Sequence, residues 1–176
     1  MKARNLLRHI LPAIVLIVNA TACRDEAILF DTPFISLEAL KPEYAGIINS
    51  DQEFIAEYKI YLNAPRFEQS ITVNYDLEVG AGLLEGRDYR LLTPGRSVSF
   101  EPGIFDMSIR IKWLRTARHE DPEDLDSPIV GDSLDETKDN SLRITLTGSN
   151  TNYNLGRPGP DGLHRSILIR KIKAQE

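Results

Sequence analysis

The sequence holds few of the side chains that do chemistry unaided. It has one cysteine, three histidines and one tryptophan, and aromatics make up only 7% of its 176 residues. One thiol cannot close an internal disulfide, so no disulfide framework supports the fold. Bases are outnumbered, 21 against 26 acids, for a net charge of −5. That balance argues against a nucleic-acid partner, which would call for a basic patch. No apolar run approaches the roughly 20 residues that span a bilayer. Enzyme signatures are also missing. No HExxH spacing sets histidines up as zinc ligands, and His119 and His164 read as exposed loop residues. There is no GxSxG elbow. "GAGLLEG" leads into a strand pattern without the helix whose N-terminus would hold phosphate, and "GRPGPDG" is a cluster of turn residues. A carboxylate pair for glycoside hydrolysis is a matter of geometry and leaves no sequence mark. The chain is therefore expected to be no enzyme, with a carboxylate-dependent hydrolase as one alternative.

The lone cysteine follows a distinctive start. Residues 1–9 carry Lys2, Arg4 and Arg8 and no acid, and residues 10–18 are apolar, broken only by Pro12. A basic start and a short apolar run make a secretory signal. Small residues follow, Ala20, Thr21 and Ala22, and then Cys23. "NATAC" resembles a bacterial lipobox, with Ala20 where Leu or Val is commoner. The resemblance implies a lipid on Cys23, which also caps a thiol that would otherwise stand free in an oxidising compartment. Acyl chains anchor through about 0.8 kcal/mol per buried CH₂. Residues 1–22 are thus read as a lipoprotein signal peptide and 23–32 as the lipidated N-terminus and tether. "CRDE" resembles the surface-export signal of Bacteroidota lipoproteins, and Arg24 gives no hint of inner-membrane retention. The expected address is an outer membrane, with the domain at the cell surface or facing the periplasm.

The remaining 154 residues suit one domain. "ITVNYDLEV" alternates Ile71, Val73, Tyr75, Leu77 and Val79 with polar residues. Period two over nine residues predicts a half-buried strand. "FDMSIRIKWL" does the same with Phe105, Met107, Ile109, Ile111 and Trp113, and "SLRITLTG" with Leu142, Ile144 and Leu146. "EFIAEYKIYLN" fits a strand or a helix. "FISLE" and "RSILIRKIK" are further strands. "TPGR" and "EPGI" each place Pro before Gly, the signature of a type II turn, and they bracket the short strand "SVSF". Residues 118–140 hold nine acids against Arg118 and Lys138. That surplus predicts a long, mobile connection, so the domain is read as 33–173 with an acidic loop over 115–140.

The order of these pieces resembles the Calx-beta repeat over roughly residues 54–172. The carriers are "GRDY" and "FEPG": Gly86, Asp88, Tyr89, Phe100, Pro102 and Gly103. The resemblance implies an all-β, immunoglobulin-like sandwich of about seven to eight strands. Gly86, Asp88, Tyr89, Pro102 and Gly103 are read as structural turn residues: Asp88 to hold turn amides, Tyr89 to bury its ring. Calcium-binding members place acids just after the strand equivalent to 105–114. Arg115 and Thr116 stand there instead, so no cofactor is expected. The low-ranked calcium candidates are Asp132, Asp135, Glu136 and Asp139, which lack EF-hand spacing.

"LRTAR" and "NSLRITLTGSNTNYNLG" also loosely resemble short Bacteroidota lipoproteins, many of them encoded near glycan-uptake systems. The resulting expectation is a lipid-anchored, non-catalytic binding, adhesion or accessory module. Its partners are the membrane through Cys23 and a glycan or protein at the cell surface. The alternative is a glycan-binding accessory of a polysaccharide uptake system. Trp113 is read as core, and Tyr153 as the candidate ligand contact.

Overall fold

The computed structural model describes residues 32–124 and 126–174. The signal-like segment, Cys23 and most of the tether lie outside the described residues. Within them the alternating segments form strands, and the chain is an immunoglobulin-like β-sandwich of two five-stranded sheets.

One sheet runs, in spatial order, β11 (Asn154–Leu155), β1 (Phe34–Ala39), β3 (Phe54–Asn63), β7 (Asp106–Trp113) and β5 (Tyr89–Leu91). The other runs β2 (Gly46–Asn49), β12 (Ser166–Ile172), β10 (Ser141–Ser149), β4 (Ile71–Val79) and β6 (Ser97–Phe100). The ambiguous segment "EFIAEYKIYLN" is a strand, because its apolar side chains fall on alternate residues: Ala56, Tyr58, Ile60 and Leu62 are buried. The first edge of the sandwich is shared between the sheets. β1 joins one, a 3-10 turn at Pro42–Tyr44 redirects the chain, and β2 pairs in parallel with β12 of the other.

The two inner faces interdigitate over Trp113, Tyr58, Tyr75 and Phe100, all essentially inaccessible. Burying each such ring or a large aliphatic contributes about 1.5–3 kcal/mol. Trp113 Nε1–H donates to Tyr58 Oη at 3.4 Å, and Tyr58 Oη–H donates to Tyr44 O at 3.0 Å, so the polar tips of the core rings are satisfied. Alternation overreaches at the strand ends. Val79 is 37% exposed and Phe105 38%: Val79 is the last residue of β4, and Phe105 lies just before β7 begins. Both Pro-Gly turns place glycine at positive φ, +76° at Gly95 and +90° at Gly103. The second turn is closed by Ile104 N–H to Glu101 O at 2.9 Å.

The acidic stretch is not the structureless connection that its charge predicts. It carries a two-stranded ribbon, β8 (Ala117–His119) with β9 (Ile129–Asp132). Two residues pin its distal half: Leu134 is 2% exposed and packs into the core, and Asn140 Nδ2–H donates to Asp135 O at 2.8 Å. Charge density hid one apolar anchor. Four of its nine acids lie in the exposed bend at residues 120–124.

Candidate functional site

The end of the sandwich where β2 turns into β3 and β7 into β8 collects most of the buried polar side chains. Ser50 ties it together. Its N–H donates to Ile172 O at 2.9 Å, and its carbonyl accepts from Thr116 N at 2.8 Å and Ala117 N at 3.1 Å. Its hydroxyl donates to Asp132 Oδ2 and accepts from Ala174 N at 2.9 Å.

Beside it lies a buried ionic cluster. Asp88 is inaccessible, and its Oδ2 accepts from Leu84 N at 2.7 Å and from Arg87 Nε at 2.8 Å. Its Oδ1 faces Lys171 Nζ at 3.5 Å, an ion-pair contact longer than a hydrogen bond. Lys171 Nζ–H donates to Leu114 O at 2.7 Å and reaches Asp88 O at 3.4 Å. Burial pushes the Lys171 amine below its ordinary range, against the opposing pull of Asp88. The cluster joins β12 of one sheet to the approach of β5 in the other. Tyr89 follows directly, buried with its ring centroid 6.3 Å from that of Trp113.

His119 is a correction to the sequence reading. It is 4% exposed and not a solvated loop histidine. Its alternation with buried Ala117 on β8 turns it inward. Nδ1 lies 2.9 Å from Ser127 O, so that nitrogen carries the proton. Nε2 stands 3.8 Å from Asp51 Oδ2. His164 is half-exposed and lies 3.3 Å from Glu38 Oε1.

Asp51 also borders an open cleft of about 480 Å³ with Tyr44, Gln52, Glu53, Phe54 and Arg115. The rings of Tyr44 and Phe54 stack with centroids 5.3 Å apart. Lys112 lies 2.6 Å from Glu53 and holds that carboxyl below the usual range.

The four calcium candidates are spread out, and three have local hydrogen bonds. Asp132 bonds Ser50 and accepts from Leu134 N at 2.9 Å. Asp135 accepts from Thr137 Oγ1 at 2.6 Å, which lowers its pKa, and Asp139 accepts from Ser141 N at 3.0 Å. Glu136 is exposed. Among the described residues no three His, Cys, Asp or Glu side chains converge as metal ligands. Gly86 takes φ +87° at the turn before Asp88, and Pro102 with Gly103 forms the turn into β7. Tyr153 is half-buried and packs against the core. No protein-family model matches the chain, and no curated protein matches it. Among solved structures it is similar to the crystal structure of CBD12 from CALX1.2. Identity there is 14%, the TM-score is 0.44, and 78% of this chain is covered. The chain spans 43% of that structure's chain.

Among the described residues, Asp51 Oδ1, Asp88 Oδ1 and His119 Nε2 are buried at this end without a hydrogen-bond partner, whereas Ser50 is fully engaged. Ser50 Oγ is occupied by Asp132 and Ala174 N, and among the described residues no histidine nitrogen contacts it as a base. The residue that sequence reading missed is Lys171. Its signal was present: it continues the phase of Ile167 and Ile169, so a charge stands at an inward position of a strand.

Proposed function

We propose that this chain is a non-catalytic binding and accessory module, held to an outer membrane by lipid on Cys23 and facing the cell surface or the periplasm. One observation carries the reading. The lone cysteine directly follows a basic start, an apolar run and small residues, a short tether ahead of the first strand at Phe34. The buried ionic groups serve the fold, which leaves the clefts and outer faces for partners. Of the three carboxylates of the open cleft, Glu53 is held by Lys112, Glu43 lies 3.6 Å from Lys41, and Asp51 stands 3.8 Å from His119 Nε2. Glycan capture is the second reading, and the same cleft favours it. Aromatic edges at Tyr44 and Phe54, beside planar donors and acceptors on Gln52, Arg115 and Asp51, are groups that meet sugar hydroxyls and C–H faces.

The test is metabolic labelling with palmitate followed by membrane fractionation. The wild type takes up label and sediments with outer membrane, while Cys23→Ala does neither. An unlabelled wild type refutes the anchor.

A further inference from the structure

The chain has one cysteine and so no internal disulfide, yet its two sheets meet through a lysine and an aspartate whose side chains are both inaccessible. The two carboxylate oxygens of that aspartate, Asp88, are not alike. Oδ2 accepts from Leu84 N at 2.7 Å and from Arg87 Nε at 2.8 Å, and Arg87 Nη2 lies 2.6 Å away. Oδ1 is buried with no hydrogen-bond partner and faces Lys171 Nζ at 3.5 Å.

The amine is equally lopsided. An ammonium has three protons to place. Lys171 makes one short bond, to Leu114 O at 2.7 Å. Its approaches to Asp88 O at 3.4 Å and Asp88 Oδ1 at 3.5 Å are longer than ordinary hydrogen bonds. Burial pushes the amine towards its neutral form, which is the nucleophilic one. Amine and carboxyl are thus held close, away from water, and not bonded to each other.

We infer that this pair condenses after folding: the Lys171 amine and the Asp88 carboxyl join in an intramolecular amide that ties the two sheets together. The surroundings give each atom its part. One proton passes from Nζ to Oδ1, a shift that desolvation favours. The Nζ lone pair attacks Cγ, and the C=O electrons move onto Oδ2. The Leu84 N–H and the Arg87 guanidinium already point at that oxygen, where an oxyanion needs its donors. A second proton then goes from Nζ to the Oδ1 hydroxyl. The carbonyl re-forms on Oδ2, the Cγ–Oδ1 bond breaks, and Oδ1 leaves as water. The one N–H that remains keeps the bond to Leu114 O. Such groups do not condense in dilute solution. Fixed side by side they act at effective molarities of about 10⁵–10⁸ M. The ion pair is the precursor, carried by freshly folded protein, and the amide accumulates from it. The cross-link joins residues 83 apart and supplies a covalent tie that a lone cysteine cannot. The inference rests on the fold and is independent of the anchor at Cys23.

The full chain is refolded from urea, held at neutral pH for several days, then unfolded and digested with trypsin. The expected product joins residues 88–90 to residues 171–173, because trypsin does not cut after an acylated Lys171. It is lighter than the two peptides together by the mass of one water. It should dominate the aged sample and be absent from chain kept in urea, where the site does not exist. Followed as loss of one water from the whole chain, the rate should fall about a hundredfold in Arg87→Gln, which strips donors from Oδ2. The comparison of folded with urea-held wild type stands even if that variant fails to fold. Only linear peptides from the aged wild type overturn the inference. So does water lost within the Asp88 peptide alone, which marks a succinimide with the next amide. An equal rate in folded Arg87→Gln overturns the roles given to the two oxygens.

Discussion

Two of the lysine–aspartate pairs in this molecule form under opposite conditions. On the outer face of the first sheet, Lys59 meets Asp106 across the β3 and β7 pair, with Glu57 and Arg110 alongside at 3.5 Å. These side chains keep contact with water. At the buried end, Lys171 meets Asp88 with both side chains inaccessible. The outer pair raises the Lys59 pKa, chiefly through its bond to Asp106, whereas burial lowers that of Lys171. The same two functional groups are therefore marginal in one place and structural in the other. What separates them is desolvation and not partner identity.

The comparison breaks most visibly at Asp88. Asp88→Asn keeps an acceptor for Leu84 N but leaves Lys171 charged and buried without a countercharge. Urea unfolding should show a loss of about 3–5 kcal/mol. Adding Lys171→Met to that variant should recover most of it, because a buried pair replaced by apolar groups is close to neutral. If the double variant is no more stable than the single one, Lys171 and Asp88 do not act as a buried ion pair.

A second measurement sharpens the contrast by pH. Lysine side-chain amine signals followed by NMR should show Lys171 losing its proton before Lys59. The signs for stability are opposite. Lys171, depressed in the fold, binds its proton less tightly than the unfolded chain does. Its contribution therefore improves as pH rises from its folded pKa towards the ordinary value of 10.5. Lys59, raised in the fold, contributes fully below 10.5 and loses that contribution as pH climbs through its folded pKa. Titration in the reverse order would refute the assignment of desolvation as the dominant cause.

The smallest effect belongs to the surface. Lys59→Ala should cost less than about 1 kcal/mol in the same urea experiment, and less still at high salt. A loss as large as that of Asp88→Asn would erase the distinction between the two regions.

Much of the scaffold was legible because period-two alternation reports directly on burial in a sheet. Val73, Tyr75, Ile109, Ile111, Leu142 and Ile144 all point inward as their spacing demands. The short strands β2, β5 and β11 were not legible. Their pairing partners lie far along the chain, and runs of two to four residues carry no period. The ribbon within the acidic stretch was masked for a different reason. Composition averages over nine acids, while one leucine, Leu134, and one inward histidine, His119, decide that the segment docks. The buried cluster was half-readable. Asp88 was expected to hold turn amides and does bond Leu84 N, but its partner Lys171 lies 83 residues away, beyond any local pattern.

The position of β12 sets the timetable by which the domain can assemble. β2 is held in its sheet only by β12, through Gly46 with Ile169 to Asn49 with Ile172. An early stretch thus waits for one of the last. Closing so long a loop is slow compared with forming local hairpins. Until β12 is available, the edge of β10 that it pairs has no partner and the Asp88 carboxylate has no lysine. β4, β6 and β10 all precede β12 and pair without it, so the strand that must wait is β2.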